Sequence, residues 1–322
     1  MSEVRLGILP WGQATDWESL ESVAIRVEEL GYEHLWAWDH LHAIFGDPDQ
    51  PIFEGWMTLA AWAGVTRRVR LGLLVGANTF RNPSVVAKMV TTLDHMSRGR
   101  AILGLGGAWF EHEHRAHGLD FGSGHGERLG WMHEAVTAIR AVLDGQAVTS
   151  PSGGRYRFDG LRQLPLPVQP HLPIMIGGSG EKKTLRTVAM HADMWNAMGS
   201  TEFLRRKVEV LREHCAAVGR DIAEIELTVG CKPVIRDTEA EARAAWEAQM
   251  AHNRTPMTEV ADDDTFWIGT AGQIAERMIE ARELGFDTFI AEMAAPYDHE
   301  TLERWIGEVR PMVETASGPE GS

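Results

Sequence analysis

Short apolar runs alternate with longer amphipathic stretches along nearly the whole chain. Val4–Leu9, Glu33–Trp38, Val69–Val75, Ala101–Leu105, Pro173–Ile176, Asp193–Ala197, Glu226–Val229 and Thr288–Glu292 read as strands. Several lack polar alternation, the pattern of parallel strands covered on both faces. The stretches between them read as helices with defined ends. Thr15 and Glu18 form a capping box, Leu20, Val23, Ala24, Val27 and Leu30 make one apolar stripe, and Gly31 stops it. Asn82 and Pro83 read as a cap and a first helical residue. Thr270 and Gln273 repeat the capping-box pattern before Ile274–Leu284, and Gly285 follows. Strand and helix alternating about eight times predict an α/β protein with a parallel sheet, and favour a closed (β/α)₈ TIM barrel over an open sheet.

One segment interrupts the rhythm. Residues 145–172 contain Ser150-Pro-Ser-Gly-Gly154 and then Pro165, Pro167 and Pro170, with little helical periodicity. They predict an insertion between the fourth and fifth strands, with a hairpin at Arg155–Phe158 and a position at the catalytic face. The expected organisation is one domain over residues 1–316 and a disordered tail over 317–322.

At 322 residues and 44% hydrophobic composition the chain can bury a large core. Its net charge of −15 argues against a nucleic acid or an anionic membrane as partner, and does not exclude a local basic pocket for a phosphate. The first residues do not make a signal peptide, and no stretch approaches the roughly 18 apolar residues of a membrane span. Cys215 and Cys231 form no CxxC motif, so no disulfide framework is expected and a cytoplasmic setting fits.

Gly177-Gly178-Ser179-Gly180 closes an apolar strand just before a helix. Glycines let the backbone turn and approach an anion, and the free N–H groups of a helix start attract phosphate. Lys182, Lys183 and Arg186 add positive charge; the alternative is a tight turn with a solvated first helical turn. Asp39 and His40 fall where the second strand meets its loop, the catalytic edge of a barrel, and suit proton transfer near neutral pH. The alternative is a capping Asp and a surface His. Gly104, Gly106 and Gly107 let a flat ligand lie against the backbone, although Trp109 breaks a GxGxxG fingerprint. In the run Glu111–His117, His114 and His117 share a helix face, and His40 with His42 makes a second pair. Without HExxH or an HxH on the first strand, no metal site is expected. Trp11, Trp38 and Trp109 lie near strand ends and are expected in a cleft, whereas Trp246 reads as core.

Together these segments resemble the luciferase-like monooxygenase superfamily, more closely its coenzyme F420-dependent branch. The resemblance runs from about Val4 to Val313. It rests on Trp38-Asp39-His40, Thr79-Phe-Arg-Asn-Pro83, Leu93-Asp-His-Met-Ser-Arg-Gly-Arg100, Gly104-Leu-Gly-Gly-Ala-Trp-Phe-Glu111, Pro173–Gly178 and Phe266-Trp-Ile-Gly-Thr270. It implies a barrel with an insertion, a deazaflavin or isoalloxazine ring at its C-terminal face, and a homodimer. It places Asp39 and His40 beside the ring, with Glu111 and Glu113 as further catalytic candidates. It implies a non-prolyl cis peptide at Leu74–Val75, with Val75–Gly76 the near alternative. Cofactor contacts are expected at Leu74, Val75, Gly76, Asn78, Gly106, Gly107, Ala108, Gly177, Gly178, Ser179 and Gly180. One departure is that some F420-dependent sugar-phosphate dehydrogenases carry Glu directly after the strand-four glycines, where this chain has Trp109, which argues against that reaction. The implied activity is hydride transfer between coenzyme F420 and a small organic substrate. The alternatives are an FMN-dependent monooxygenase, a metal-dependent hydrolase on the same fold, and a non-catalytic carrier.

Overall fold

A computed structural model describes residues 3–316; the expected tail at 317–322 lies outside the described residues. The strands are β1 (Arg5–Pro10), β2 (His34–Ala37), β3 (Arg70–Leu73), β4 (Gly76–Ala77), β5 (Ala101–Gly106), β6 (Ile174–Gly177), β7 (Met194–Ala197), β8 (Glu226–Ile235), β9 (Phe266–Gly269) and β10 (Thr288–Met293). Every pairing between them is parallel, and β10 pairs with β1 on one side and β8 on the other, so the sheet closes. With β3 and β4 counted as one interrupted strand and β9 set aside, eight strands make the barrel. Around it pack α1 (Trp17–Leu30), α2 (Gly55–Val65), α3 (Pro83–Ser97), α4 (Glu111–Ala116), α5 (His125–Leu143), α6 (Thr184–His191), α7 (Thr201–Val218), α8 (Glu239–His252), α9 (Met257–Val260), α10 (Ala271–Glu283), α11 (His299–Arg304) and α12 (Arg310–Ala316). Among the described residues no helix is long and apolar enough to cross a membrane.

Parity along the strands sets what faces where. Leu6, Ile8, Leu35, Leu71, Leu103, Ile174 and Phe289 point outward and build one core with the helices. Leu9, Trp36, Ile102, Met175, Met194 and Ile290 point inward and fill the barrel. Trp36 dominates that filling because Gly7 and Gly72 make room for it: a Cβ at Gly72 would lie 2.6 Å from its ring.

Some expectations need correction. Asp16, not Thr15, caps α1, its carboxylate accepting the Ser19 N–H at 2.8 Å. The Gly31 stop, the Asn82–Pro83 start and the Thr270–Gln273 box form as expected. The strand ending at Val229 continues to Ile235, and its outer part pairs with β9, a strand not expected from the pattern. Pro233 does not end it, because it lies beyond the last β8–β10 pair, Cys231 with Ala291, and so removes no ladder bond there.

The insertion leaves the opposite face from the one expected. α5 ends at the N-terminal side of the barrel, where Arg140 bonds Asp193 and the Leu172 carbonyl. The segment then climbs: Val148 bridges Leu161 antiparallel, Arg155–Phe158 forms the bend between them, and Glu134 accepts the Arg155 and Tyr156 amides at 2.9 Å. It returns along α3, where Asp94 accepts the Val168 and Gln169 amides at 2.7 and 3.0 Å. A helix–strand connection must start at the bottom of the barrel, and only the bend reaches the top.

His34 lies at the lower, inward end of β2 and is buried. Burial first, with the Arg70 and Arg5 charges adding to it, pushes its imidazole down from the usual 6.5 to about 3. The unfolded chain therefore takes up the proton first. The stabilisation is complete above the unfolded value and is lost as pH falls toward the folded one, by up to about 1.4 kcal/mol per pH unit. We expect His34→Gln to flatten the fall in urea-unfolding free energy between about pH 6.5 and about pH 4; an unchanged slope assigns that fall to other groups.

Candidate active site

A cavity of about 460 Å³ opens at the C-terminal end of the barrel. It brings together Asp39, His40, Leu74, Val75, Gly76, Gly106, Gly107, Ala108, Glu113, Gly177, Gly178, Ser179 and Gly180 from separate parts of the chain. Two expected residues do not join them. Glu111 is exposed on α4, because one residue of a helix pair spaced by two turns away when the other turns in. Asn78 is buried behind the wall, its Nδ2 donating to the Tyr156 hydroxyl at 3.0 Å.

One wall is built around Val75. The Leu74–Val75 peptide is cis, as the resemblance implies. The Val75 side chain lies where glycines face it: a Cβ at Gly106 would sit 2.7 Å from it, and one at Gly177 2.9 Å. A Cβ at Gly104 would strike the Leu73 carbonyl at 1.8 Å. The glycines of β5 are thus required first by the protein's own chain.

Asp39 fixes that wall from below. Its carboxylate accepts the Ala77 N–H at 2.9 Å and two bonds from Arg81 Nη1 at 2.7 and 3.0 Å. Arg81 is held in turn by Glu54 at 2.5 Å. Burial pushes the Asp39 carboxyl above its ordinary range, while the Arg81 charge and bonds and the Ala77 amide pull it back. Arginine stays protonated, and its two bonds together with the Ala77 amide favour the carboxylate form of Asp39 against that burial. Asp39 therefore supports the wall, and the adjacent His40 turns the other way, as alternation requires.

His40 Nδ1 lies 3.1 and 3.2 Å from the two carboxylate oxygens of Glu113, which also accepts the Leu41 amide at 2.9 Å. A carboxylate is an acceptor, so Nδ1 carries the proton and Nε2 is left as an acceptor without a partner among the described residues. Trp38 and Trp109 line the cavity beside it, with ring centroids 6.2 and 5.7 Å from the imidazole. Trp11, expected in the cleft, is fully buried beneath, stacked on Phe45 at 4.2 Å. Trp246 is core. His42 sits edge-on to His112 and His117, and the described residues hold no group of three or more ligands arranged for a metal.

The sequence reading passed over Asn196, Lys232 and Glu292, which also line the cavity. The signal was parity: each is polar, near the C-terminal end of its strand, at an inward position of an otherwise apolar run.

A family description of luciferase-like monooxygenases matches residues 6–288. The chain belongs to the luciferase-like monooxygenase family. Members similar to it differ in cofactor. It is 30% identical over 262 residues to an F420-dependent glucose-6-phosphate dehydrogenase of Kineococcus radiotolerans, covering 76% of this chain and 75% of the other. It is 28% identical over 337 residues to an FMNH(2)-dependent dimethylsulfone monooxygenase of Pseudomonas putida, covering 94% and 90%. The solved structure of an F420-dependent secondary alcohol dehydrogenase in complex with an F420-acetone adduct shares the luciferase-like fold, with TM-score 0.82, 20% identity, and 97% and 99% coverage.

The Val75 wall is testable without a ligand. Gly106→Ala should cost about 1–3 kcal/mol by overpacking, since valine is stiff at χ1. Adding Val75→Ala should recover much of that loss in urea unfolding, a coupling expected only of residues in contact. Additive losses contradict the packing.

Proposed function

We propose that this luciferase-like protein is an oxidoreductase that binds coenzyme F420 against Val75 and acts on a small organic substrate. The observation that carries the reading is the Gly177–Gly180 loop beside that wall. The amides of Ser179, Gly180 and Glu181 donate to no described residue, α6 starts without a side-chain cap, and the Thr184 hydroxyl adds a donor on the cavity wall. Amides left free in this way suit a phosphate. The Glu181 carboxylate beside them is neutralised by Lys207 and Arg206 at 2.8 and 3.3 Å. Of the expected cations, Lys183 is tied to the Gly126 carbonyl, and Lys182 and Arg186 are exposed outside the cavity lining.

The residues present fit a ring with a phosphate-bearing arm: Leu74, Val75 and Gly76 behind the ring, Gly106, Gly107 and Ala108 along its edge, and Gly177, Gly178, Ser179 and Gly180 at the phosphate. When bound, such a cofactor supplies the redox chemistry. The protein's part is to orient, to exclude water and to move a proton. His40 does the last through Nε2, with Glu113 fixing the tautomer and stabilising the imidazolium that forms. The Asp-His end of β2 and the F420-dependent relatives support coenzyme F420. The FMN-dependent relative covering most of the chain supports FMN as the second reading. A cytoplasmic homodimer belongs to the same proposal, carried by the family resemblance.

Titration of the purified protein by tryptophan fluorescence tests the reading. Coenzyme F420 should bind at micromolar concentration and more tightly than FMN; the reverse order favours the monooxygenase. Gly178 has φ +114°, which a β-branched residue resists, so Gly178→Val should abolish cofactor binding while leaving the circular dichroism spectrum unchanged. Full affinity in a folded variant removes the phosphate assignment. His40→Asn should lower kcat roughly 10²–10⁴-fold and remove one limb of the pH–rate profile. A retained limb with weakened cofactor binding makes His40 a positioning residue.

A further inference from the structure

Glu292 has no part in the arrangement described so far. It ends the inward series Thr288, Ile290, Glu292 on β10, is 8% exposed, and lies on the cavity wall. Its carboxyl makes no hydrogen bond to any described residue. The carboxyl opens on the cavity, so its oxygens are left for whatever enters there to satisfy.

The charged groups facing it are otherwise engaged. Lys232, from β8, donates to the Thr265 hydroxyl at 2.5 Å, lies 3.4 Å from the Asp263 carboxylate, and sits over the Phe266 and Phe45 rings. Asp263, ahead of β9, is further held by Thr265. His40, from the end of β2, is turned to Glu113. Burial pushes the Glu292 carboxyl up, with Lys232 and His40 opposing and Asp263 adding to it. A phosphate or carboxylate entering here would meet Glu292 and Glu113 with Lys232 already paired. An amine would meet the Lys232 ammonium. Trp38, Phe45 and Trp109 also line the cavity, Phe45 beneath the Lys232 ammonium.

We propose that Glu292 selects the substrate, its carboxyl hydrogen-bonding the oxygen of an uncharged alcohol or ketone whose apolar body lies against Trp38, Phe45 and Trp109. The inference rests on the oxidoreductase reading and adds its substrate class. An alcohol can pair with either protonation state of the carboxyl, so recognition does not depend on which one is present.

Calorimetric titration of the cofactor-loaded protein with cyclohexanol and with hexanoate, an anion of similar bulk, provides the test. Wild type should bind cyclohexanol at least ten-fold more tightly than hexanoate. Glu292→Leu should weaken cyclohexanol roughly ten-fold, the worth of one buried hydrogen bond. Glu292→Gln, which keeps a hydrogen-bonding group of the same shape, should retain most of the affinity. Tighter binding of hexanoate, no saturable binding of cyclohexanol, or an indifferent Glu292→Leu overturns the proposal. Cofactor affinity is measured in parallel: if wild type binds neither F420 nor FMN, the oxidoreductase reading falls and this one with it. Cofactor binding with no preference among the probes removes this one alone.

Discussion

The buried ion pair of Asp39 with Arg81 is the contact on which the cavity depends. Asp39 lies two residues past β2, Arg81 precedes α3, and the same carboxylate takes the amide of Ala77 in β4. One side chain thus joins two neighbouring strand ends where β3 breaks and β4 resumes. The desolvation of both charges is large, and losing one partner of such a pair typically costs about 3–5 kcal/mol because the other is left uncompensated. The pair does more to position than to stabilise. It holds the chain so that Val75 stands out from the sheet, and Val75 in turn dictates glycine at 106 and 177.

From that wall the division of labour follows by geometry. Alternation turns Asp39 down into the structure and His40 out into the cavity, where Glu113 on α4 receives it. Adjacent residues therefore meet different surroundings, Asp39 the wall and His40 the cavity and Glu113. Around the upper rim, Asn196 and Glu292 occupy the last inward positions of β7 and β10, and Lys232 the last but one of β8. Below them the interior is apolar and filled by Trp36. Apart from the buried His34, Thr228 and Thr288 lower down, the polar side chains gather at the rim, where several strands converge, as is general for enzymes on this fold.

The barrel was legible because buried parallel strands leave apolar runs, and helices carry caps at fixed spacing. The residues of the cavity were legible mainly through short motifs whose order matched a known family. What was missed follows from physical causes. Lys232 was hidden because the expected strand stops at Val229, whereas β8 runs on past Pro233, which needs no ladder bond where it lies. Glu292 was the last letter of an expected strand, and its inward parity went unused. Glu111 and Glu113 were indistinguishable by type, and only the turn of α4 decides which faces in. The insertion's root was misplaced because loop composition carries no information about which end of the barrel it leaves.

The central claim is that one wall, built on Val75 and steadied by Asp39, receives a flat cofactor whose phosphate rests on the Ser179, Gly180 and Glu181 amides. A crystal structure of the protein grown with coenzyme F420, and a second with FMN, tests it most directly. Ring density in contact with Val75, a phosphate within hydrogen-bond distance of the Ser179 and Gly180 amides, and His40 Nε2 facing the open side of the ring are the predicted result. A ring seated away from Val75, or a phosphate bound at another loop, contradicts it.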